Sequence, residues 1–141
     1  MATKPETTFY RSVHRYLPSS VYQMKLHNPY LGGPPDHWYS GKSSDLWIEW
    51  KFQELPKRES TELLPDLSPL QAAWLKGRYE EGRNVAVILG CPLGGVIYTG
   101  LSWGQPLTLG EYRVRILKRN QLARWIEEIV CLGSDVSHHL R

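Results

Sequence analysis

The segment from Asp45 to Lys51, with the sequence DLWIEWK, alternates between apolar and mostly charged side chains with a period of two. Because successive side chains of a β-strand point to opposite faces, this spacing predicts a strand with two different faces. The apolar face, which we expect to lie in the core, is formed by Leu46, Ile48 and Trp50. The other face is formed by Asp45, Trp47, Glu49 and Lys51. Three charges in a row are costly to bury, so this second face is expected either to be solvated or to bind something.

A β-hairpin with the preceding segment is predicted by the turn-like residues 40–43, which include a glycine. If these four residues close the turn, Asp36 lies opposite Trp47 on the charged face of the next strand. Asp36 is then diagonal to Glu49, with about 7–8 Å between the two backbones, and carboxylates at that distance can share a cation. Asp45 lies roughly 13 Å from Glu49 along the same strand, too far to share one ion unless a bulge shortens the path.

Asp36, Glu49 and Lys51 together suit metal-dependent chemistry on a phosphodiester. Carboxylate oxygens bind hard divalent cations such as Mg²⁺ or Mn²⁺, which polarise a phosphoryl oxygen and lower the pKa of a bound water. Lys51 would orient or deprotonate that water, and the carbonyl after Glu49 is a further candidate ligand. Asp45 is a candidate second ligand, a group behind the ligands, or a charge at the start of a strand. The alternative for Asp36 is a turn carboxylate, and for Glu49 and Lys51 a solvated strand face.

Pro35-Asp36 followed by Glu49-x-Lys51 resembles the motif of the PD-(D/E)xK nuclease superfamily. A second match lies downstream, where residues 67–75 read LSPLQAAWL and are followed by Gly82 and an apolar run. This pattern is similar to the helix and buried strand that follow the catalytic strand in the virus-type replication-repair nuclease family, VRR-NUC. The resemblance spans residues 6–90 and departs from the family pattern in its doubled proline and in the tryptophan inside ExK.

The resemblance implies an α/β fold of restriction-endonuclease type, with an αβββαβ core and a mixed sheet flanked by helices. It also implies that Gln71 lies beside the active site, although the third position of a capped helix would account for a glutamine as well. In many enzymes of the superfamily an acid on the first helix reaches the metal. Glu6 is the candidate here, although the helix macrodipole favours any acid in a first turn.

Local patterns predict the same order of elements. A helix is expected to start with a capping box at Thr3–Glu6 and to end before Pro18, and Ser68 is expected to cap the helix that carries Gln71. Strands are expected around residues 22–26, 37–39, 45–51, 85–89 and 96–98. At the C-terminus, Tyr112, Val114 and Ile116 predict another strand, and Asn120 is expected to cap a helix that ends at Gly133. The chain is interpreted as one nuclease domain, with its core at about 5–100, an extension at about 105–133 and a tail at 134–141.

Composition is that of a globular protein, with 41% hydrophobic and 22% charged residues. The net charge of +3 permits binding to a polyanion without requiring it. No run approaches the ~20 apolar residues of a membrane span, and the first twenty residues do not read as a signal peptide. Cys91 and Cys131 match no zinc spacing, and His14, His27 and His37 are expected at the surface or in loops. We therefore expect a cytoplasmic protein with no membrane partner.

Together with the resemblance, these features predict a Mg²⁺- or Mn²⁺-dependent deoxyribonuclease that leaves a 5′-phosphate. Branched DNA, such as a Holliday junction or a flap, is the expected substrate, and a symmetric homodimer would place one site on each of two strands. The apolar stripe of the last helix, with Trp125, Ile126 and Ile129, would either complete the core or form the dimer contact. By analogy, a small stand-alone chain of this kind is typical of phages or mobile elements. The alternatives are an RNA substrate, or a non-catalytic nucleic-acid-binding or assembly subunit on a nuclease-like fold.

Overall fold

The computed structural model describes residues 3–26 and 32–137. In chain order, the elements are α1 (Pro5–His14), β1 (Tyr22–Lys25), β2 (His37–Ser40), β3 (Asp45–Phe52), β4 (Glu62–Leu63), α2 (Pro69–Glu80), β5 (Val85–Cys91), β6 (Gly94–Tyr98), β7 (Leu107–Thr108), α3 (Leu109–Arg115) and α4 (Arg119–Leu132), with a 3-10 turn at Ser102–Gly104. Apart from the short β4, which is not part of the main sheet, the predicted αβββαβ order is confirmed. His27 and the end of the predicted tail, residues 138–141, lie outside the described residues. Within the described ranges, no helix has the length and apolar character needed to cross a membrane.

A five-stranded mixed sheet in the order β1-β2-β3-β5-β6 forms the centre of the described fold. β3 is the central strand, pairing antiparallel with β2 and parallel with β5, and α2 makes the crossover between these two parallel strands. β4 and β7 form a separate two-stranded ribbon. β3 therefore has neighbours on both edges, and its side chains alternate between two covered faces.

The two faces of the sheet carry separate apolar clusters. The first lies under α1 and α4 and includes Phe9, Val13, Ile48 and Ile126. The second lies under α2 and α3 and includes Leu75, Val87, Tyr98 and Tyr112. The apolar face of β3 belongs to the first cluster, as its alternation predicts, and its charged face turns towards α2.

α4 completes the core. Its apolar stripe is buried in the first cluster, including Trp125, Ile126 and Ile129, so the dimer contact considered for this stripe is not supported. The helix begins two residues earlier than predicted, with Lys118 instead of Asn120 at the N-cap, and ends as predicted at Gly133, whose φ is +72°.

The strand predicted from Tyr112, Val114 and Ile116 is wrong, because the segment forms α3. A capping box starts this helix: Glu111 N donates to Thr108 Oγ1 at 3.2 Å, and Thr108 N donates to Glu111 Oε1 at 2.9 Å. Tyr112 is buried whereas Val114 is 87% exposed, so the alternating apolar residues do not share a face.

The other two helix starts give one confirmed prediction and one correction. α2 has the predicted capping box, in which Gln71 N donates to Ser68 Oγ at 3.1 Å and Ser68 N donates to Gln71 Oε1 at 3.0 Å. The box predicted at Thr3–Glu6 is wrong, because Lys4 is the N-cap of α1 and makes no side-chain capping bond. Pro5 marks that start, since a proline in the first turn loses no helical hydrogen bond.

The predicted register of the β2–β3 hairpin is wrong by two residues. Ser40 pairs with Asp45, so residues 41–44 form the turn and Trp38, instead of Asp36, lies opposite Trp47. The reason is a tertiary contact: the backbone N–H groups of Ser43 and Ser44 both donate to the Val130 carbonyl of α4, at 2.8 and 3.1 Å. The last pair of the ladder is His37 with Ile48, which brings Asp36 level with Glu49.

Candidate active site

Asp36 is held at the point where the β2–β3 ladder ends. Pro34 and Pro35 precede it, and because proline has no N–H, the ladder cannot continue through them. Trp50 N of β3 donates instead to the Asp36 carboxylate, with 3.2 Å to Oδ2, while the Asp36 carbonyl accepts from Leu26 N at 2.7 Å. The carboxylate is thus fixed from the main chain of the strand that carries Glu49.

The loop before Asp36 is seated against the first turn of α2. Gly33 has a φ of +112°, and a Cβ at this position would lie 3.1 Å from the Leu70 carbonyl oxygen and 3.3 Å from Trp74 Cβ. A larger residue would therefore be strained and would press on the helix. This close approach fixes Asp36 relative to Gln71, which lies in the same first turn of α2.

Glu49 is a buried acid with an unused oxygen. The residue is 2% exposed, its Oε2 lies 3.6 Å from Lys51 Nζ, and its Oε1 has no hydrogen-bond partner in the described part of the chain. Burial and, after it, the adjacent Asp36 raise the pKa of Glu49 to about 8, against the opposing effect of Lys51. A carboxylate kept in such a place is unfavourable unless a further positive charge approaches it.

Lys51 is held between Glu49 and Gln71. Its Nζ donates to Gln71 Oε1 at 3.4 Å, and the same oxygen accepts the Ser68 N–H of the helix cap. Gln71 therefore caps the helix and also contacts Lys51, whereas its place beside an active site stays a prediction. The Lys51 side chain is 21% exposed, so its ammonium can reach a ligand outside the strand.

A divalent cation fits this arrangement. Asp36 and Glu49 supply oxygen ligands, and a cation between them would satisfy the unpaired Glu49 oxygen and offset the repulsion between the two acids. In residues 3–26 and 32–137, no cluster of three or more His, Cys, Asp or Glu side chains is placed to hold a metal. The remaining ligands of an octahedral ion would therefore be water, backbone carbonyl or substrate oxygens.

Asp45 is not brought to this site. It lies at the opposite end of β3 from Lys51, is exposed, and accepts a hydrogen bond from Ser40 Oγ at 2.7 Å. Its position suits the start of a strand, which was one of the alternatives.

Glu6 lies in the first turn of α1, as predicted. One helical turn later, the Tyr10 ring contacts His37 and Trp50, so α1 runs past the residues that follow Asp36 and Glu49. The charges that act on the pKa of Glu49 are those of Asp36 and Lys51 and do not include Glu6. A role for Glu6 as a ligand stays a prediction.

Sequence reasoning missed a buried polar network behind the site. His14 Nε2 and Tyr39 OH are 2.7 Å apart, and Trp50 Nε1 donates to the same hydroxyl at 3.0 Å. Burial lowers the pKa of His14 to about 4 and that of His37 to about 3. His37 is buried in β2 and His14 is half-buried on α1, so neither has the surface or loop position expected for it. The spacing of Tyr10 and His14 on one helix face was the available signal. The network steadies Trp50, whose main-chain N–H holds Asp36.

No family model matches the chain, and no curated protein matches it in sequence. Among solved structures, the fold is similar to that of Hjc, a Holliday junction resolvase from the archaeal hyperthermophile Archaeoglobus fulgidus. The TM-score is 0.54 at 18% sequence identity, over 83% of this chain and 98% of that chain. At this identity the likeness establishes the fold, which is of the predicted restriction-endonuclease type.

Proposed function

We propose that the protein is a divalent-metal-dependent nuclease of the PD-(D/E)xK superfamily that hydrolyses DNA phosphodiester bonds. The observation that carries this proposal is the buried Glu49 beside Asp36, with an oxygen that has no partner in the described residues. The adjacent Lys51, held by Glu49 and Gln71, supplies the positive charge that such chemistry needs. The fold likeness to a resolvase supports the same conclusion.

Each residue has a separate task in this proposal. Asp36 and Glu49 hold Mg²⁺ or Mn²⁺, which polarises a phosphoryl oxygen and lowers the pKa of a coordinated water when bound. Lys51 directs its ammonium towards the water or the phosphate and stabilises charge that develops in the transition state. Gln71 positions Lys51 through the 3.4 Å hydrogen bond. The expected product carries a 5′-phosphate, as in the family that the sequence resembles.

Branched DNA, a Holliday junction or a flap, is the proposed substrate. The name of the similar structure, a Holliday junction resolvase, supports the junction. We retain the VRR-NUC assignment, a phage origin and a cytoplasmic location as parts of the proposal, on the sequence motif and small size alone.

A homodimer is proposed because paired cuts in two strands need two active sites related by a two-fold axis. The α4 stripe is buried within the chain, so the contact must use another surface. Light scattering over a concentration series, with and without a four-way junction, tests this part. A species that stays monomeric throughout would exclude paired cutting without excluding the chemistry.

A cleavage panel tests the function itself. Duplex, flap, four-way junction, single-stranded DNA and RNA are incubated with Mn²⁺ or with EDTA, using the wild-type protein and Glu49→Gln. We expect Mn²⁺-dependent cleavage of a branched DNA that Glu49→Gln loses, while Lys42→Ala, which alters an exposed loop lysine, cleaves like the wild type. Binding without cleavage in every condition would contradict the proposal and favour a non-catalytic subunit, and cleavage confined to RNA would change the substrate.

A further inference from the structure

A row of aromatic rings crosses the sheet on the same face as Glu49 and Lys51. It runs from Tyr22 of β1 through Trp38 of β2 and Trp47 of β3 to Trp74 of α2. Successive ring centroids are 5.6, 6.1 and 5.7 Å apart. Trp38 and Trp47 are directly paired in the β2–β3 ladder, which places both rings on the face that also carries Glu49.

The row is open to the outside. Tyr22 is 55% exposed, and the three tryptophans are half-buried. On the opposite face of the same strands, Tyr39 and Trp50 are fully buried. Several adjacent aromatic side chains that are partly exposed to solvent are typical of a binding surface, because the side chains of a core are covered.

Positive charge lies at the α2 end of the row. The Trp47 and Trp74 rings line an open cleft of about 620 Å³ together with Arg78 and Arg83. The Arg78 guanidinium sits 5.8 Å from the centroid of the Trp74 ring, and its Nε is shielded and has no hydrogen-bond partner in the described ranges.

Two acidic side chains partly offset the positive charge of this cleft. Glu81 pairs with Arg78 at 2.6 Å, and Asp45 lines the cleft while it accepts the Ser40 hydroxyl. Arg83 is exposed, and no ion pair in the described ranges engages it. Arg83 is therefore available to contact a phosphate that enters the cleft.

The row is continuous with the candidate active site. Trp47 and Glu49 are two residues apart on one strand face, so their backbone positions are roughly 7 Å apart. A ligand that stacks on Trp47 would reach the acid pair with its next backbone unit.

We propose that this row is a platform on which unpaired nucleotides of a DNA strand stack beside the scissile phosphate. The substrate class rests on the nuclease function proposed above. Aromatic rings stack on any base, and arginines contact the backbone, which are the two features of sites that bind single strands without sequence preference. Bases within a duplex cannot reach the rings, so the enzyme would favour DNA with unpaired nucleotides next to the cut.

Binding of fluorescein-labelled oligo(dT) in EDTA tests the platform without requiring cleavage. Tyr22→Ala and Trp47→Leu should each weaken binding by about 5- to 150-fold, the range for loss of one stacked base, and Trp47→Phe should restore most of it. Tyr16→Ala is the matched control, because Tyr16 is a tyrosine that is 59% exposed beside α1 on the other side of the sheet. Tyr22→Ala changes a surface residue, so the test does not depend on whether Trp47→Leu folds.

The outcomes separate this proposal from the nuclease function. Weaker oligo(dT) binding in the two variants, together with no cleavage by the wild type, would support the platform and reject the nuclease. Wild-type cleavage with unchanged oligo(dT) binding in both variants would reject the platform alone. Tighter binding of oligo(U) than of oligo(dT) would overturn the DNA assignment. A change of oligomeric state in Tyr22→Ala without a change in binding would show that a second copy of the chain covers the row.

Discussion

The two faces of β3 come from one short stretch of sequence, but they differ in polarity, in hydrogen bonding and in their effect on stability. Leu46, Ile48 and Trp50 are fully buried in the apolar cluster under α1 and α4. Across the same backbone, Glu49 is equally buried but has an oxygen with no partner among the described residues and a pKa raised to about 8. One face gives the fold its stability, whereas the other keeps an arrangement that costs stability in the absence of a ligand.

This contrast shows why burial alone does not distinguish a core residue from a site residue. Trp50 gains from leaving water, and its indole N–H is satisfied by Tyr39. Glu49 loses hydration, contacts Lys51 at 3.6 Å, and lies beside a second acid. Such unfavourable electrostatics in a covered site are typical of functional groups. The predictions below test whether the two faces have these separate roles.

The largest effect is expected at the lysine of the charged face. Lys51→Met keeps the apolar part of the side chain and removes the ammonium, so the fold should remain while cleavage falls by roughly 10²- to 10⁴-fold. Single-turnover cleavage with Mn²⁺ measures this loss, and Lys42→Met is the control. Cleavage by Lys51→Met at the wild-type rate would remove Lys51 from the site.

On the apolar face, Trp50→Ala should lower the free energy of unfolding by about 3–5 kcal/mol, because it opens a cavity beside Phe9 and removes the donor to Tyr39 OH. Trp47 is the half-buried counterpart on the other face. Trp47→Ala should lower the free energy of unfolding by only about 1–2 kcal/mol. Urea unfolding measures both values. Equal losses would mean that the aromatic row is part of the core.

The pH dependence of stability should differ between the faces. The pKa of Glu49 is about 8 in the folded metal-free protein, against a reference value of 4.5. The folded protein thus keeps a proton that the unfolded chain has released, so stability should fall as pH rises from about 4.5 to about 8. Glu49→Gln should flatten this slope in urea unfolding measured in EDTA. An unchanged slope would show that another group titrates.

A smaller effect of opposite sign is expected from the apolar face. Burial lowers the pKa of His14 from 6.5 to about 4, so the unfolded chain takes up a proton first when the solution is acidified. Stability should therefore fall as pH drops from about 6.5 towards 4. His14→Gln, which can still hydrogen-bond to Tyr39, should reduce this acid loss. Identical acid unfolding curves for the variant and the wild type would contradict it.

Local sequence patterns were enough for the elements that carry the site. Period-two alternation assigned the two faces of β3, and the SPLQ sequence located the capped start of α2. The same capping signal was present in Thr108 and Glu111 and would have identified α3. The alternation of Tyr112, Val114 and Ile116 instead favours a strand, which the structure shows to be wrong.

The register of the hairpin could not be obtained from local patterns. Its turn is set by contacts of Ser43 and Ser44 with the end of α4, more than eighty residues away in the chain. Local patterns could not give the network of His14 and Tyr39 either, because it joins α1 to β2. Both features matter for the site. The register brings Asp36 level with Glu49, and the network supports Trp50, whose main-chain N–H binds Asp36.

Calorimetric titration with Mn²⁺ tests most directly whether Asp36 and Glu49 form a cation site. The wild type and Asp45→Asn should bind the ion alike, because Asp45 lies at the far end of β3. Asp36→Asn and Glu49→Gln should each lose binding, while circular dichroism shows that they remain folded. Retained binding in Asp36→Asn and Glu49→Gln, or loss of binding in Asp45→Asn alone, would contradict the account.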